Sequence, residues 1–113
     1  METKELEKLI KKLGEIDIQR WEYQYEREYS RNFLSVYIDN LKFSMAKLSS
    51  AYELYIESAE EEITNLCFIN YVFDNKKKTQ KEMLGKFYEQ TLTSLKEHKQ
   101  KIIKERLDEF LKD

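Results

Sequence analysis

The chain runs through 113 residues without a proline and with only two glycines, Gly14 and Gly85. Those two residue types set most tight turns, hairpins and ligand-cradling loops, proline by fixing φ and glycine by tolerating positive φ. A chain that avoids both is free to run as long, uninterrupted helices. It also lacks the material for a phosphate-binding glycine loop or a nucleophile elbow. The expectation is an all-α protein in one domain over 1–113, either an elongated, coiled-coil-like helical bundle or a long antiparallel helical hairpin with a short N-terminal helix.

Hydrophobic spacing fills in that outline. Leu6, Leu9, Ile10 and Leu13 share one helical stripe, with Glu2 and Glu5 at its start and Lys11 and Lys12 at its end to complement the dipole. This predicts a helix over 3–13, closed by Gly14 just past its C-terminus. Asp17 is a plausible N-cap for the next helix. From there Ile18, Trp21, Tyr25, Tyr29, Phe33, Tyr37, Leu41, Met45, Leu48, Tyr52 and Tyr55 recur in steps of three and four, and the stripe continues to Phe73. Unbroken, it would make a helix of about 55 residues and roughly 80 Å. Ser50 with Glu53 matches a capping box, as Ser58 with Glu61 does equally; a break at Ser50 gives helices over 17–48 and 50–73. Asp74–Lys78 is the clearest turn, and Thr79 with Glu82 is a second capping box opening a helix over 79–112. Gly85 lies inside that last helix, either at a close helix–helix approach or simply tolerated.

Segment 66–73 is the one place where a strand reading competes, being rich in aromatic and β-branched residues. No second run of that kind has a turn that would let it pair, so helix is the expectation here too.

Charge is uneven along the chain. Residues 1–13 carry a net +1, residues 14–75 a net −7 and residues 76–113 a net +4. An acidic middle and a basic last third are expected to attract each other, within a chain or between chains. Cys67 is the only cysteine, which rules out an intrachain disulfide and fits a reducing compartment. No apolar run reaches the length of a signal peptide core or a bilayer span, so a cytoplasmic protein with no membrane partner is expected.

No conventional catalytic constellation is visible. His98 is the only histidine and sits among Lys96, Glu97, Lys99 and Lys101, as on a solvated helix surface. One histidine cannot build a zinc site, and the acidic block Glu57, Glu60, Glu61 and Glu62 has no loop geometry for calcium. Neither metal nor cofactor is expected, and the chain reads as non-enzymatic.

Three surfaces remain. Arg20, Trp21, Tyr23, Tyr25, Arg27, Tyr29 and Arg31 interleave aromatic and basic side chains, the residue types enriched at protein–protein hot spots. Glu22, Glu26 and Glu28, threaded through the same turns, would repel phosphates. Arg20, Trp21, Tyr25, Arg27 and Tyr29 are therefore the candidate partner-binding residues. Phe33, Tyr37, Leu41, Phe68, Ile69 and Val72 occupy more than one helical stripe and suggest self-association into a homodimer. Lys76, Lys77, Lys78, Lys81 and Lys86 form a basic patch that supports an alternative, nucleic-acid binding. The leading reading is a helical module that docks onto a larger protein as a regulator, inhibitor or adaptor. Small regulators, immunity proteins, secretion chaperones and phage or mobile-element inhibitors share this size and style, with no motif to choose among them.

Overall fold

The computed structural model describes residues 2–27, 30–48, 51–58 and 78–112. It replaces the all-α expectation with an α+β fold. Helix α1 spans Thr3–Gly14, a 3-10 turn follows at Ile18–Arg20, and four strands come next: β1 (Glu22–Glu26), β2 (Arg31–Ile38), β3 (Leu41–Lys47) and β4 (Tyr52–Ser58). Helix α2 then spans Lys78–Phe110. The strands form one antiparallel sheet in the order β1-β2-β3-β4.

The helix predicted over 17–48 does not exist. Asp17 is an N-cap, accepting a hydrogen bond from the Gln19 backbone N–H, but it caps only the single 3-10 turn. The chain beyond is extended. The helix predicted over 50–73 is contradicted over Tyr52–Ser58, which is a strand; Ser49, Ser50 and 59–77 lie outside the described residues. So do Cys67, the apolar run 66–73, most of the acidic block and the expected turn at Asp74–Lys78, apart from Lys78 itself.

Turns form without glycine or proline because Asp and Asn tolerate the left-handed region at low cost. Asp39 and Asn40, with φ of 47° and 63°, join β2 to β3. Two central residues with positive φ are the mark of the tight hairpin turn whose twist matches that of paired strands. Ser30, φ 50°, ends the β1–β2 connection, and the Leu48 N–H donates to the Ala51 carbonyl at 2.8 Å to close the β3–β4 loop.

Strand register sorts the side chains. Leu34 pairs with Met45, Val36 with Phe43, Met45 with Leu54 and Phe43 with Ile56. These residues share one face, and α2 crosses it through Leu84, Phe87, Tyr88 and Leu95. Helix α1 packs on α2 and buries Leu6 and Leu13. The other face of the sheet buries smaller groups, Ser35, Ser44 and Ala46, together with Phe33. The Ser35 and Ser44 hydroxyls meet at 2.9 Å, so neither buried oxygen goes unsatisfied.

Candidate functional site

The partner-binding residues expected around Trp21 are divided by the fold. Trp21 follows the 3-10 turn and points into the core, 3% exposed, with its ring edge-on to Phe87 at 6.0 Å between centroids. A surface role for the indole is therefore set aside. The reason lies in the register: Trp21 directly precedes β1, where the chain leaves the 3-10 turn packed on α2 and joins the sheet. Tyr25 is 63% exposed, and Tyr23, two residues earlier on the same strand face, is also exposed. Arg27 is exposed just past β1, while Tyr29 lies outside the described residues. Arg20 donates from Nη2 to the Tyr37 carbonyl at 2.7 Å, which ties the start of β1 to the end of β2.

Among the described residues, β1 is an edge strand, hydrogen-bonded to β2 alone. It presents Tyr23 and Tyr25 on the face toward the helices, and Glu22 and Gln24 alternate with them. The Gln24 amide donates to the Glu22 carboxylate at 2.5 Å. The result is a strip of two exposed phenol rings, with Arg20 and Arg27 flanking it along the chain.

The expected self-association residues are likewise dispersed. Phe33 is buried, packed edge-on against Tyr55 at 5.7 Å, and cannot serve an open interface. Tyr37 and Leu41 are exposed on either side of the Asp39–Asn40 turn, and the Lys42 ammonium sits 5.7 Å from the Tyr37 ring centroid. Phe68, Ile69 and Val72 lie outside the described residues.

A polar cluster that the sequence did not announce joins the sheet to α2. Lys47 donates to Glu89 Oε1 at 2.8 Å, and the Tyr52 hydroxyl donates to the same oxygen at 3.1 Å. The hydrogen bond from Lys47 holds the Glu89 carboxyl below its ordinary range, and the reciprocal bond raises Lys47. Desolvation, then the nearby carboxylate, raises Tyr52, and burial pushes Tyr88 up to about 12. The carboxylate thus stays ionised and both phenols stay protonated through the neutral range, which makes the cluster a polar tie. The i to i+42 separation of Lys47 and Glu89 explains why no local motif announced it.

Beside this cluster, Tyr52, Lys78, Lys81, Glu82, Lys86 and Glu89 border a cleft of about 470 Å³. Three lysines of the expected basic patch are here, and Lys76 and Lys77 lie outside the described residues. The positive charge is diluted, since Lys78 is 4.0 Å from Glu82 and Glu89 is held by Lys47. A second groove of about 510 Å³ runs between α1, the 3-10 turn and α2, lined mainly by apolar groups including Ile10, Ile16, Trp21 and Phe87. Among the described residues, no group of three His, Cys, Asp or Glu side chains could hold a metal ion, and no helix is long and apolar enough to cross a membrane. His98 is half-buried on α2.

Comparison with protein-family models, curated proteins and solved structures gives no match to this chain, so its function is argued from its own surfaces.

Proposed function

We propose that the chain is a non-catalytic docking module that regulates, inhibits or adapts a larger protein, and that the β1 strip is its recognition surface. The observation that carries this reading is the exposure of Tyr25 and Tyr23 on a strand that is itself hydrogen-bonded into the sheet. Tyrosine offers a large amphipathic contact at a low entropic cost, and a ring held on a rigid strand has already lost most of its backbone freedom before binding. Arg20 and Arg27 add charged donors at either end, as at protein–protein hot spots. An edge strand also offers unpaired backbone groups to an extended partner segment. The single cysteine is in keeping with action in a reducing compartment such as the cytoplasm.

The test compares capture from host extract by the wild-type chain, Tyr23→Ala/Tyr25→Ala, and Lys78→Glu/Lys81→Glu/Lys86→Glu. A protein retained by the wild type and the lysine variant, lost by the tyrosine variant and indifferent to nuclease supports docking through β1. Nucleic acid retained with a steep salt dependence, and lost with the lysines, would replace this reading with the phosphate-seeking one.

A further inference from the structure

Helix α2 is longer than the body it crosses. It spans 33 residues, Lys78–Phe110, which is roughly 50 Å at ~1.5 Å per residue. Its buried residues are Gln80, Leu84, Gly85, Phe87, Tyr88, Thr91 and Leu95, and none lies beyond Leu95. Beyond it His98 and Ile102 are still half-buried, and only from Ile103 to Phe110 is every residue exposed.

That projecting end is not polar all round. Ile103, Leu107, Phe110 and Leu111 are exposed, Phe110 by 82%. Spacings of four and three put Ile103, Leu107 and Phe110 on one stripe. At about 100° per residue, this stripe is turned roughly 100° around the helix from the one formed by Leu84, Tyr88, Thr91 and Leu95. It does not extend the sheet-facing stripe. It is a second apolar face, on the part of α2 that the described residues leave uncovered.

The charges around this face are polarised along the helix. Residues 96–106 contain Lys96, Lys99, Lys101, Lys104 and Arg106 against Glu97 and Glu105, a net +3. Residues 107–113 contain Asp108, Glu109 and Asp113 against Lys112, a net −2. Two such segments side by side and parallel would set like charge against like. Antiparallel, the basic stretch of each comes opposite the acidic end of the other, and the apolar stripes meet about a two-fold axis. A two-fold contact needs a self-complementary patch, and this segment is self-complementary in both respects.

We infer that the projecting end of α2 pairs with the same segment of a second copy, antiparallel, through Ile103, Leu107 and Phe110. Two short helix faces bury less than a standard stable interface, so the dimer is expected to be in the micromolar range and in exchange with monomer. This surface is distinct from the β1 strip, and its failure would leave the docking proposal untouched.

Sedimentation equilibrium of the full chain from 5 to about 300 µM is the test. The wild type should show reversible monomer–dimer exchange. Leu107→Asp and Phe110→Asp, at exposed positions that leave the circular dichroism spectrum and Tm unchanged, should each weaken dimerisation at least tenfold. Orientation is read by charge reversal. Lys101→Glu/Lys104→Glu and Asp108→Lys/Glu109→Lys should each dimerise less well alone, and mixing the two should restore a heterodimer. A monomer throughout the range overturns the inference, as does a dimer that Leu107→Asp leaves intact. A monomeric chain that instead binds anionic lipid vesicles through Phe110 would reassign the stripe to a membrane surface and equally overturn it. Charge-reversed variants that fail to rescue each other would rule out the antiparallel arrangement.

Discussion

The Tyr52 ring occupies the space that a side chain on Gly85 would need: a Cβ built there would lie 2.6 Å from its Cε2 atom. The ring is not free to withdraw. Its hydroxyl donates to Glu89 and its face tilts against Tyr88 at 5.6 Å between centroids. Gly85 therefore marks a close approach between α2 and strand β4, where a helix–helix approach was one of the two sequence-based expectations.

This contact predicts the sign of a substitution that helix propensity alone gets wrong. Gly85→Ala should gain about 1 kcal/mol from the helix backbone and lose about 1–3 kcal/mol to overpacking, for a net loss. In a Tyr52→Ala background the same change should stabilise by about 1 kcal/mol. Urea unfolding of the four chains of the cycle checks both signs.

Trp21 should behave as a core residue. Trp21→Ala is expected to cost about 3–5 kcal/mol, because it opens a cavity against Phe87. Tyr25→Ala should stay within about 0.5 kcal/mol of wild type. Equal effects of the two substitutions on the unfolding midpoint would contradict the burial described above.

Alkaline stability should depend on Tyr88. Burial raises its phenol to about 12 in the folded chain, above the ordinary 10.0. Between those values the unfolded chain releases a proton that the folded chain keeps, so stability falls as pH rises through that window. Below it the contribution is complete. Tyr88→Phe should flatten the loss of stability above pH 10, read from Tm against pH. An unchanged alkaline limb would show that Tyr88 does not control it.

The Lys47–Glu89 tie should act between two limits. The lowered Glu89 contributes stability above the ordinary carboxylate range and loses it as pH falls through its folded value. The raised Lys47 contributes below the ordinary lysine range and loses it as pH rises through its folded value. A Glu89→Gln variant should therefore differ most from wild type near neutrality, with the gap narrowing in acid and in strong alkali. High salt should narrow it too, since both groups are exposed to solvent.

The β2–β3 turn offers a backbone test. Asn40→Ala places a Cβ residue at φ 63° and should cost about 1 kcal/mol. Asn40→Gly should cost less than Asn40→Ala, because glycine meets this φ without strain. If the alanine variant proves as stable as the glycine one, the positive φ is not a constraint on this hairpin.

Much of the helical fold was legible and most of the sheet was not. The stripe Leu6, Leu9, Ile10 and Leu13 has a matching helix, and the capping box near Thr79 lies at the start of α2. Between them the same spacing admitted two solutions. Steps of four residues place side chains on one helix face, but they also place them on one strand face, since four is even. Phe33 with Tyr37, on one face of the sheet, and Leu41 with Met45, on the other, each fit either reading. Alternation was hidden in β2 because both faces are buried at its centre, leaving Phe33, Leu34, Ser35 and Val36 all enclosed. It was visible in β4, where Tyr52, Leu54 and Ile56 alternate with Glu53 and Glu57. A chain with few glycines and no proline can still form hairpins, since Asp39 and Asn40 make the turn.

For the candidate surfaces, residue type was readable and exposure was not. An aromatic–basic cluster at 20–29 can be seen in the sequence, but nothing local distinguishes Trp21, which the fold buries, from Tyr25, which it exposes. Their roles depend on where α2 crosses the sheet.

The sequence by itself determined the two end helices, because their periodic apolar faces and flanking charges act over single turns. It also determined the polarity of charge along α2, which is a matter of order alone. Tertiary structure decided that β1 to β4 pair as strands, since an ambiguous period is settled only when the sheet's inner face closes on Leu84, Phe87 and Tyr88. It decided too that, among the described residues, α2 outruns its support beyond Ile102, because a helix's length is local but the width of the body beneath it is not.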